Sequence, residues 1–242
     1  MSRRLSYVFI LFAFTLFSFS CDTTNSSDSN QEETRFEDGI PAEVMDLLGE
    51  EMLEVIENDL KMPIHRGDNP PDIVAILSTT SQEKALVSAG RTIIMSPLIL
   101  LETNVPRDVG SIEPGHEFID EYFRFSGPDI DNYQIIVERR SVSPSDGKIY
   151  GTSSPTDFLV SGDENRFTVY GQNESVYDGK AGKSLAMRIF SGVFTEEGSI
   201  SSPHYSIFMI DDGGVSDIIP SGTGRSFVDK DGIAAGTTWP EE

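Results

Sequence analysis

Residues 183–195 read KSLAMRIFSGVFT, and this stretch predicts a long β-strand. From Leu185 to Val193, large apolar side chains recur at alternate positions, which places them on one face of an extended strand. The stretch is longer than the usual strand of about five or six residues, and long strands suit a closed barrel. Gly192 is the expected position of a bulge at which the strand bends.

The same alternation recurs through most of the chain after residue 72, for example from Tyr133 to Val137 and from Tyr205 to Met209. Short apolar runs between turn-forming residues predict strands near 73–78, 91–102, 118–126, 132–140, 156–161, 165–171, 183–195, 204–211 and 224–228. The expected fold is mainly β, an antiparallel lipocalin-like barrel or a sandwich of about eight strands. Segment 79–90, TTSQEKALVSAG, breaks the pattern and fits either a short helix or a hairpin arm.

One N-terminal amphipathic helix is predicted ahead of the strands, from Ile40–Pro41 to about Lys61, because Pro63 blocks its continuation. One apolar face is formed by residues at three- and four-residue steps, namely Val44, Leu48, Met52, Val55, Ile56 and Leu60. This face packs either on the helix's own domain or on a partner. We expect residues 40–242 to form a single domain, since no linker interrupts them.

The barrel interior decides what such a domain can bind. A barrel of about eight strands is either filled by side chains or just wide enough for one small ligand. Seven aromatic residues are candidates for the interior, namely Phe123, Phe125, Tyr133, Phe167, Phe190, Tyr205 and Phe208. They can line a cavity for a small apolar ligand or form a plain core, and the sequence leaves both alternatives open.

The N-terminus, MSRRLSYVFILFAFTLFSFSC over residues 1–21, has the basic, apolar and small-residue order of a secretory signal. A cysteine at the cleavage point resembles the lipobox of bacterial lipoproteins. The resemblance implies a signal peptide over 1–20 and a lipid such as palmitate on Cys21. The acidic, polar residues 21–39 are expected to form a disordered tether. Cleavage elsewhere, which leaves a free thiol, and an uncleaved signal anchor stay open as alternatives.

A second resemblance rests on residues 62–73, MPIHRGDNPPDI, and on Ser96-Pro97-Leu98 further along. This pattern resembles uncharacterised lipoproteins of Bacteroidetes-type bacteria, in which a helix leads through such a crossing into a β-rich, lipocalin-like body. The resemblance implies a lipid-anchored protein of the cell envelope, more often at the outer membrane, that faces the periplasm or the exterior. It carries no activity to transfer.

Composition excludes several kinds of chemistry. The chain has 18 Lys and Arg against 40 Asp and Glu, a net charge of −22, which disfavours nucleic-acid binding. A single Cys excludes cysteine-based zinc sites and iron–sulfur clusters. His65, His116 and His204 lack the spacing of metal ligands. We therefore expect no metal, no cofactor and no catalytic residue.

Two Asp-Gly segments resemble fragments of calcium loops, Asp211-Asp212-Gly213-Gly214 and Asp229-Lys230-Asp231-Gly232. Aligning Gly232 with the invariant Gly of such a loop puts Phe227 at the first ligand position and Thr238 at the last, where an oxygen ligand and a Glu are needed. The match fails, so turns between strands are expected at both segments.

The function expected from these patterns is that of a membrane-anchored envelope lipoprotein that binds a small apolar ligand without enzymatic activity. One alternative is a protein–protein interaction or assembly module that holds another envelope protein. A second alternative is a hydrolase, which predicts a cleft that gathers His116 or His204 with carboxylates.

Overall fold

A computed structural model describes residues 35–76, 90–176 and 182–241. The predicted signal peptide, Cys21, residues 21–34 of the tether and nearly all of segment 79–90 lie outside the described residues. Residues 34–242 belong to one compact unit.

The N-terminal part of the described chain is a small hairpin followed by a helix. Strands β1 (Phe36–Glu37) and β2 (Ile40–Pro41) pair antiparallel, so regular structure begins within the stretch predicted as tether. Helix α1 (Ala42–Glu54) follows and continues into a π-helical turn (Val55–Asp59), close to the predicted helix bounds.

The remainder of the described chain is mostly strand. After the short β3 (Asp68–Asn69) and α2 (Ile73–Ile76), the strands are β4 (Arg91–Met95), β5 (Leu98–Thr103), β6 (Asp120–Asp129), β7 (Gln134–Val142), β8 (Ile149–Asp163), β9 (Arg166–Val176), β10 (Lys183–Phe194), β11 (Ile200–Asp211), β12 (Gly224–Asp229) and β13 (Ile233–Gly236). A 3₁₀ turn (Pro106–Asp108) lies between β5 and β6.

These strands form an antiparallel barrel. From β6 to β11, each strand pairs with the next along the chain. β4 and β5 together form one strand that bends at the cis Ser96–Pro97 bond. β12 and β13 together form a second interrupted strand. The ring closes because β4 pairs with β6 and β13, while β12 pairs with β5 and β11. The prediction of a mainly β, lipocalin-like barrel with one N-terminal helix is confirmed.

Two local predictions have opposite outcomes. The β10–β11 register shifts between Ser191 and Val193, so the bulge predicted at Gly192 is confirmed. The strand predicted near 73–78 is wrong, since α2 occupies Ile73–Ile76. Ile73 and Val74 are buried in the core of the barrel, and the Ala75 amide donates to Asp72 Oδ1 at 2.9 Å. An apolar run of four residues suits a buried helical turn as well as a strand.

The helix packs on the outside of its own barrel. Val44, Leu48 and Ile56 are buried against outward-facing side chains of β9, β10 and β11. Phe208 is one of these outward residues, so its predicted place in the interior is wrong. None of the described helices is long and apolar enough to cross a membrane.

Residues 60–67 then cross the outer face of the sheet, close to its backbone. The crossing lies on small hydroxyl side chains that are fully buried. The His65 amide donates to Thr168 Oγ1 at 2.8 Å, and Ser161 Oγ donates to the His65 carbonyl at 2.7 Å. Ser226 Oγ donates to the Leu60 carbonyl. Small polar side chains at these positions let the crossing approach closely and satisfy its backbone groups.

Candidate functional site

A continuous series of aromatic rings in contact, some stacked and some edge-on, fills the middle of the barrel. We call it the aromatic column. Successive ring centroids lie 4.7 to 6.0 Å apart in the order Phe194, Phe167, Phe190, Phe123, Tyr205 and Phe227. Of the seven residues predicted for the interior, Phe123, Phe125, Phe167, Phe190 and Tyr205 are there. Tyr133 lies in the β6–β7 turn and meets Phe36 edge-on at 4.7 Å, so its predicted interior place is wrong.

The column is packed as a core. A cavity of about 10 Å³ touches it, lined in part by Phe123, Phe158 and Phe190. A cavity needs roughly 10 to 15 Å³ to hold one water molecule. An apolar ligand of the size that lipocalin-like barrels carry would therefore need the rings to move apart.

One end of the barrel interior is polar instead. Inward-facing positions of β6, β7, β10 and β11 bring together five residues, which we call the arginine cluster: Glu121, Arg139, Ser141, Arg188 and Tyr205. Side chains two residues apart on a strand point to the same face, and Arg139 and Ser141 on β7 both point inward for this reason. Arg188 lies two residues before Phe190 on β10, so it points into the barrel as Phe190 does.

Glu121 and Arg139 form the ion pair of the cluster. Arg139 Nη1 donates to both carboxylate oxygens of Glu121 at 2.8 Å, and Ser141 Oγ donates to Glu121 Oε1 at 2.6 Å. Glu121 is only 6% exposed. Burial by itself lowers the pKa of Arg139, but Tyr205 and Glu121 outweigh this effect and hold that pKa above its ordinary value. The carboxylate is thus fully engaged by Arg139 and Ser141.

Arg188 has no such carboxylate within the part of the chain that the structure describes. Its Nη1 donates to Tyr205 Oη, and its side chain forms no other hydrogen bond within these described residues. The Nε atoms of Arg188 and Arg139 are buried without an acceptor there. Since Tyr205 Oη accepts from Arg188, its own proton also lacks an acceptor in the described ranges.

The residues that carry these donors line one cavity. The cavity of about 10 Å³ is lined by Arg139, Arg188 and Tyr205, together with Phe and Val side chains and Ser153. The cluster holds two guanidinium groups and one carboxylate, so it carries a net positive charge inside a protein of net charge −22. A buried charge is costly unless it is paired.

The histidines do not form a site with carboxylates. His204 Nδ1 lies 2.9 Å from the Ser202 carbonyl, and burial lowers the pKa of His204. Burial, Arg166 and His204 lower the pKa of His65. His116 meets Phe118 edge-on at 5.0 Å. Over residues 35–76, 90–176 and 182–241, no three His, Cys, Asp or Glu side chains converge as a metal site would require.

The two Asp-Gly segments are turns that bond to their own backbone. Asp211 Oδ1 accepts from the Gly213 amide and Asp212 Oδ1 from the Gly214 amide, each at 2.8 Å. Asp229 Oδ1 accepts from the Asp231 amide at 2.9 Å. Their carboxylates close turns, as the sequence predicts.

Sequence reasoning missed the arginine cluster. The sequence does contain an indication of the cluster. Arg188 lies on the same strand face as Phe190, and Arg139 lies on the same strand face as Val137. A charged residue on the apolar face of a strand is an exception that needs a partner.

Comparisons of the chain with protein-family models, with curated proteins and with solved structures found no match.

Proposed function

We propose that this chain is a non-enzymatic binding module that a lipid on Cys21 holds at a membrane of the bacterial cell envelope. The anchor is inferred from the signal-like residues 1–20, the cysteine that follows them and the resemblance to bacterial lipoproteins. Two or three acyl chains hold a protein on a bilayer almost permanently, at about 0.8 kcal/mol per buried methylene.

The observation that carries the binding role is the pair of buried Nε donors on Arg139 and Arg188, two partly buried arginines beside one carboxylate. Buried donors without an acceptor are rare in native proteins, and a bound ion is one of the arrangements that satisfies them. The ligand site of the proposed module is therefore the arginine cluster, and the ligand carries acceptor atoms. A purely apolar ligand, as expected from the sequence, would leave these donors unsatisfied and would have to open the aromatic column.

The anchor is tested with a Cys21→Ser variant of the full chain, expressed in the native host or a related bacterium. We expect wild-type protein to incorporate labelled palmitate and to sediment with membranes. The variant should lose both properties. Equal sedimentation and equal leader processing of the two chains would overturn the anchor.

The binding role is tested separately by native mass spectrometry of the purified full chain. A ligand lost together with Arg188→Gln supports the proposed site. An apolar molecule that Arg188→Gln does not affect would move the site to the aromatic column. A wild-type chain that carries no ligand, and whose stability responds to no added anion, would contradict the binding role.

A further inference from the structure

We propose that the ligand of the arginine cluster is a small monovalent anion of the size of chloride, bound in the cavity between Arg139, Arg188 and Tyr205. This inference rests on the proposed function, because it names the chemical class of ligand for that same site. Three properties of the site support it: its charge, its donors and its volume.

The charge of the site favours an anion. Glu121 is fully engaged by Arg139 Nη1 and Ser141 Oγ, so its negative charge offsets one guanidinium group. Arg188 is left with a phenol as its hydrogen-bond acceptor in the described ranges. A guanidinium group does not lose its proton in proteins, so the site cannot become neutral by titration. One monovalent anion balances the charge.

The donors of the site also fit an anion better than a water molecule. Three N–H or O–H groups lack an acceptor among the described residues: Nε of Arg139, Nε of Arg188 and the hydroxyl of Tyr205. A water molecule accepts about two hydrogen bonds and carries no net charge. A spherical anion accepts from all three donors and neutralises Arg188, and hydrogen bonds to charged groups are the stronger class.

The volume selects the kind of anion. The cavity of about 10 Å³ has room for a particle of the size of a water molecule. A chloride ion is only slightly larger than a water molecule, whereas a carboxylate with its carbon substituent, a sulfate or a phosphate is much larger. Apolar side chains line the rest of the cavity, including Phe123, Val137 and Phe158. Such a lining favours ions that lose their hydration at low cost, so bromide, which is slightly larger than chloride, should bind in the same place.

The experiment measures thermal stability of the purified full chain in sodium chloride, bromide, gluconate, acetate and sulfate at matched ionic strength. Matching is essential because any salt screens the repulsion within a chain of net charge −22. We expect chloride and bromide to raise the melting temperature progressively above the value in gluconate. Circular dichroism of the β-sheet provides the signal, because it does not depend on any single side chain.

Two variants and one control locate the effect. Arg188→Gln should raise the chloride concentration for half of the effect by about tenfold or more, since one charge-assisted interaction is lost. Tyr205→Phe removes only the hydroxyl and should weaken the effect less. Arg124→Gln is the matched control, because Arg124 pairs with Glu138 and stacks near Trp239 on the outer face. It should leave the halide effect unchanged.

A direct readout does not depend on the stability of any variant. Crystals of the wild-type chain soaked in sodium bromide should show an anomalous peak within hydrogen-bond distance of Arg188. Stabilisation by acetate but not by halide would overturn the chloride-sized ligand and leave the proposed function standing. Responses to the five salts that are the same in wild type and Arg188→Gln, with no bromide peak, would overturn both, because sulfate and acetate stabilise any protein to some extent.

Discussion

Arg225 and Asp108 form a two-point ion pair between strand β12 and the 3₁₀ turn that follows β5. Arg225 Nε and Nη2 donate to the two carboxylate oxygens of Asp108, each at 2.6 Å. Thr103 Oγ1 donates to Asp108 Oδ2 at 2.8 Å. Asp108 is 1% exposed, so this pair fastens the turn to the closing strands of the barrel away from water. Paired guanidinium and carboxylate groups in this geometry are the strong class of ion pair.

We predict that Asp108→Asn destabilises the fold at neutral pH by about 3 kcal/mol, because it leaves Arg225, whose side chain is only 16% exposed, without its carboxylate. The Arg225 hydrogen bond lowers the pKa of Asp108, so this stabilisation is present above the unfolded-state pKa of about 3.9. It is lost as the pH falls through the lower folded-state pKa. Urea denaturation should therefore show a smaller difference between variant and wild type at strongly acidic pH.

A double variant, Asp108→Leu with Arg225→Met, is the control for this pair. Replacing both partners of a buried ion pair costs much less than removing one. A double variant as unstable as Asp108→Asn would show that packing of the turn, rather than the ion pair, dominates its stability.

The contribution of Asp229 to stability should depend on pH in the opposite direction to that of Asp108. Its carboxylate is 5% exposed and accepts from the Ser96 amide at 2.7 Å, and burial followed by a hydrogen bond with Asp231 raises its pKa. A raised folded-state pKa contributes stability that is present below about 3.9 and is lost as the pH rises through the folded value. The stability of Asp229→Asn relative to wild type should therefore improve from about pH 3 to pH 7. A relative stability that is constant over this range would contradict the assignment.

The absence of a side chain at Gly171 makes room for Phe158. A Cβ atom at Gly171 would lie 2.0 Å from Phe158 Cε1, which is far inside van der Waals contact. We predict that Gly171→Ala destabilises the barrel by about 1 to 3 kcal/mol, measured by urea denaturation, because the ring has to leave its place in the core. Gly236→Ala is the matched control, since a Cβ there has no neighbour within 4 Å. Equal stability of the two variants would show that the ring can move freely.

The alternation of apolar residues predicted the barrel because most strands bury one apolar face in the core. The prediction failed where the inward face is polar. β8 begins at Ile149, although its apolar pattern starts only near residue 156, because Gly151 and Ser153 lie beside Arg139 at the polar end of the interior. The same polarity hid the arginine cluster, whose members come from four strands.

Other failures have a local cause. Phe208 belongs to an alternating strand, yet it faces the helix, because β11 is apolar on both faces where α1 covers it. Alternation identifies a strand there but does not say which face is inside. The pairing of Asp108 with Arg225, 117 residues apart, depends on barrel closure and has no signature in local sequence.

The contact between the crossing and the sheet yields a last prediction. The His65 amide donates to Thr168 Oγ1 at 2.8 Å, and Thr168 is fully buried. Thr168→Val keeps the shape of the side chain but removes the acceptor, so a buried N–H loses its partner. We expect a loss of about 1 to 3 kcal/mol in the free energy of unfolding.

Hydrogen exchange separates this effect from general loosening. In Thr168→Val, the His65 amide should exchange faster than amides of β9 and β10 do, because the crossing loosens before the barrel opens. Thr152→Val is the control, since Thr152 is exposed on β8, and it should change stability by less than about 0.5 kcal/mol. If both variants were equally stable, the hydroxyl beneath the crossing would not hold it to the sheet. Small buried side chains alone would then account for the close approach of residues 60–67.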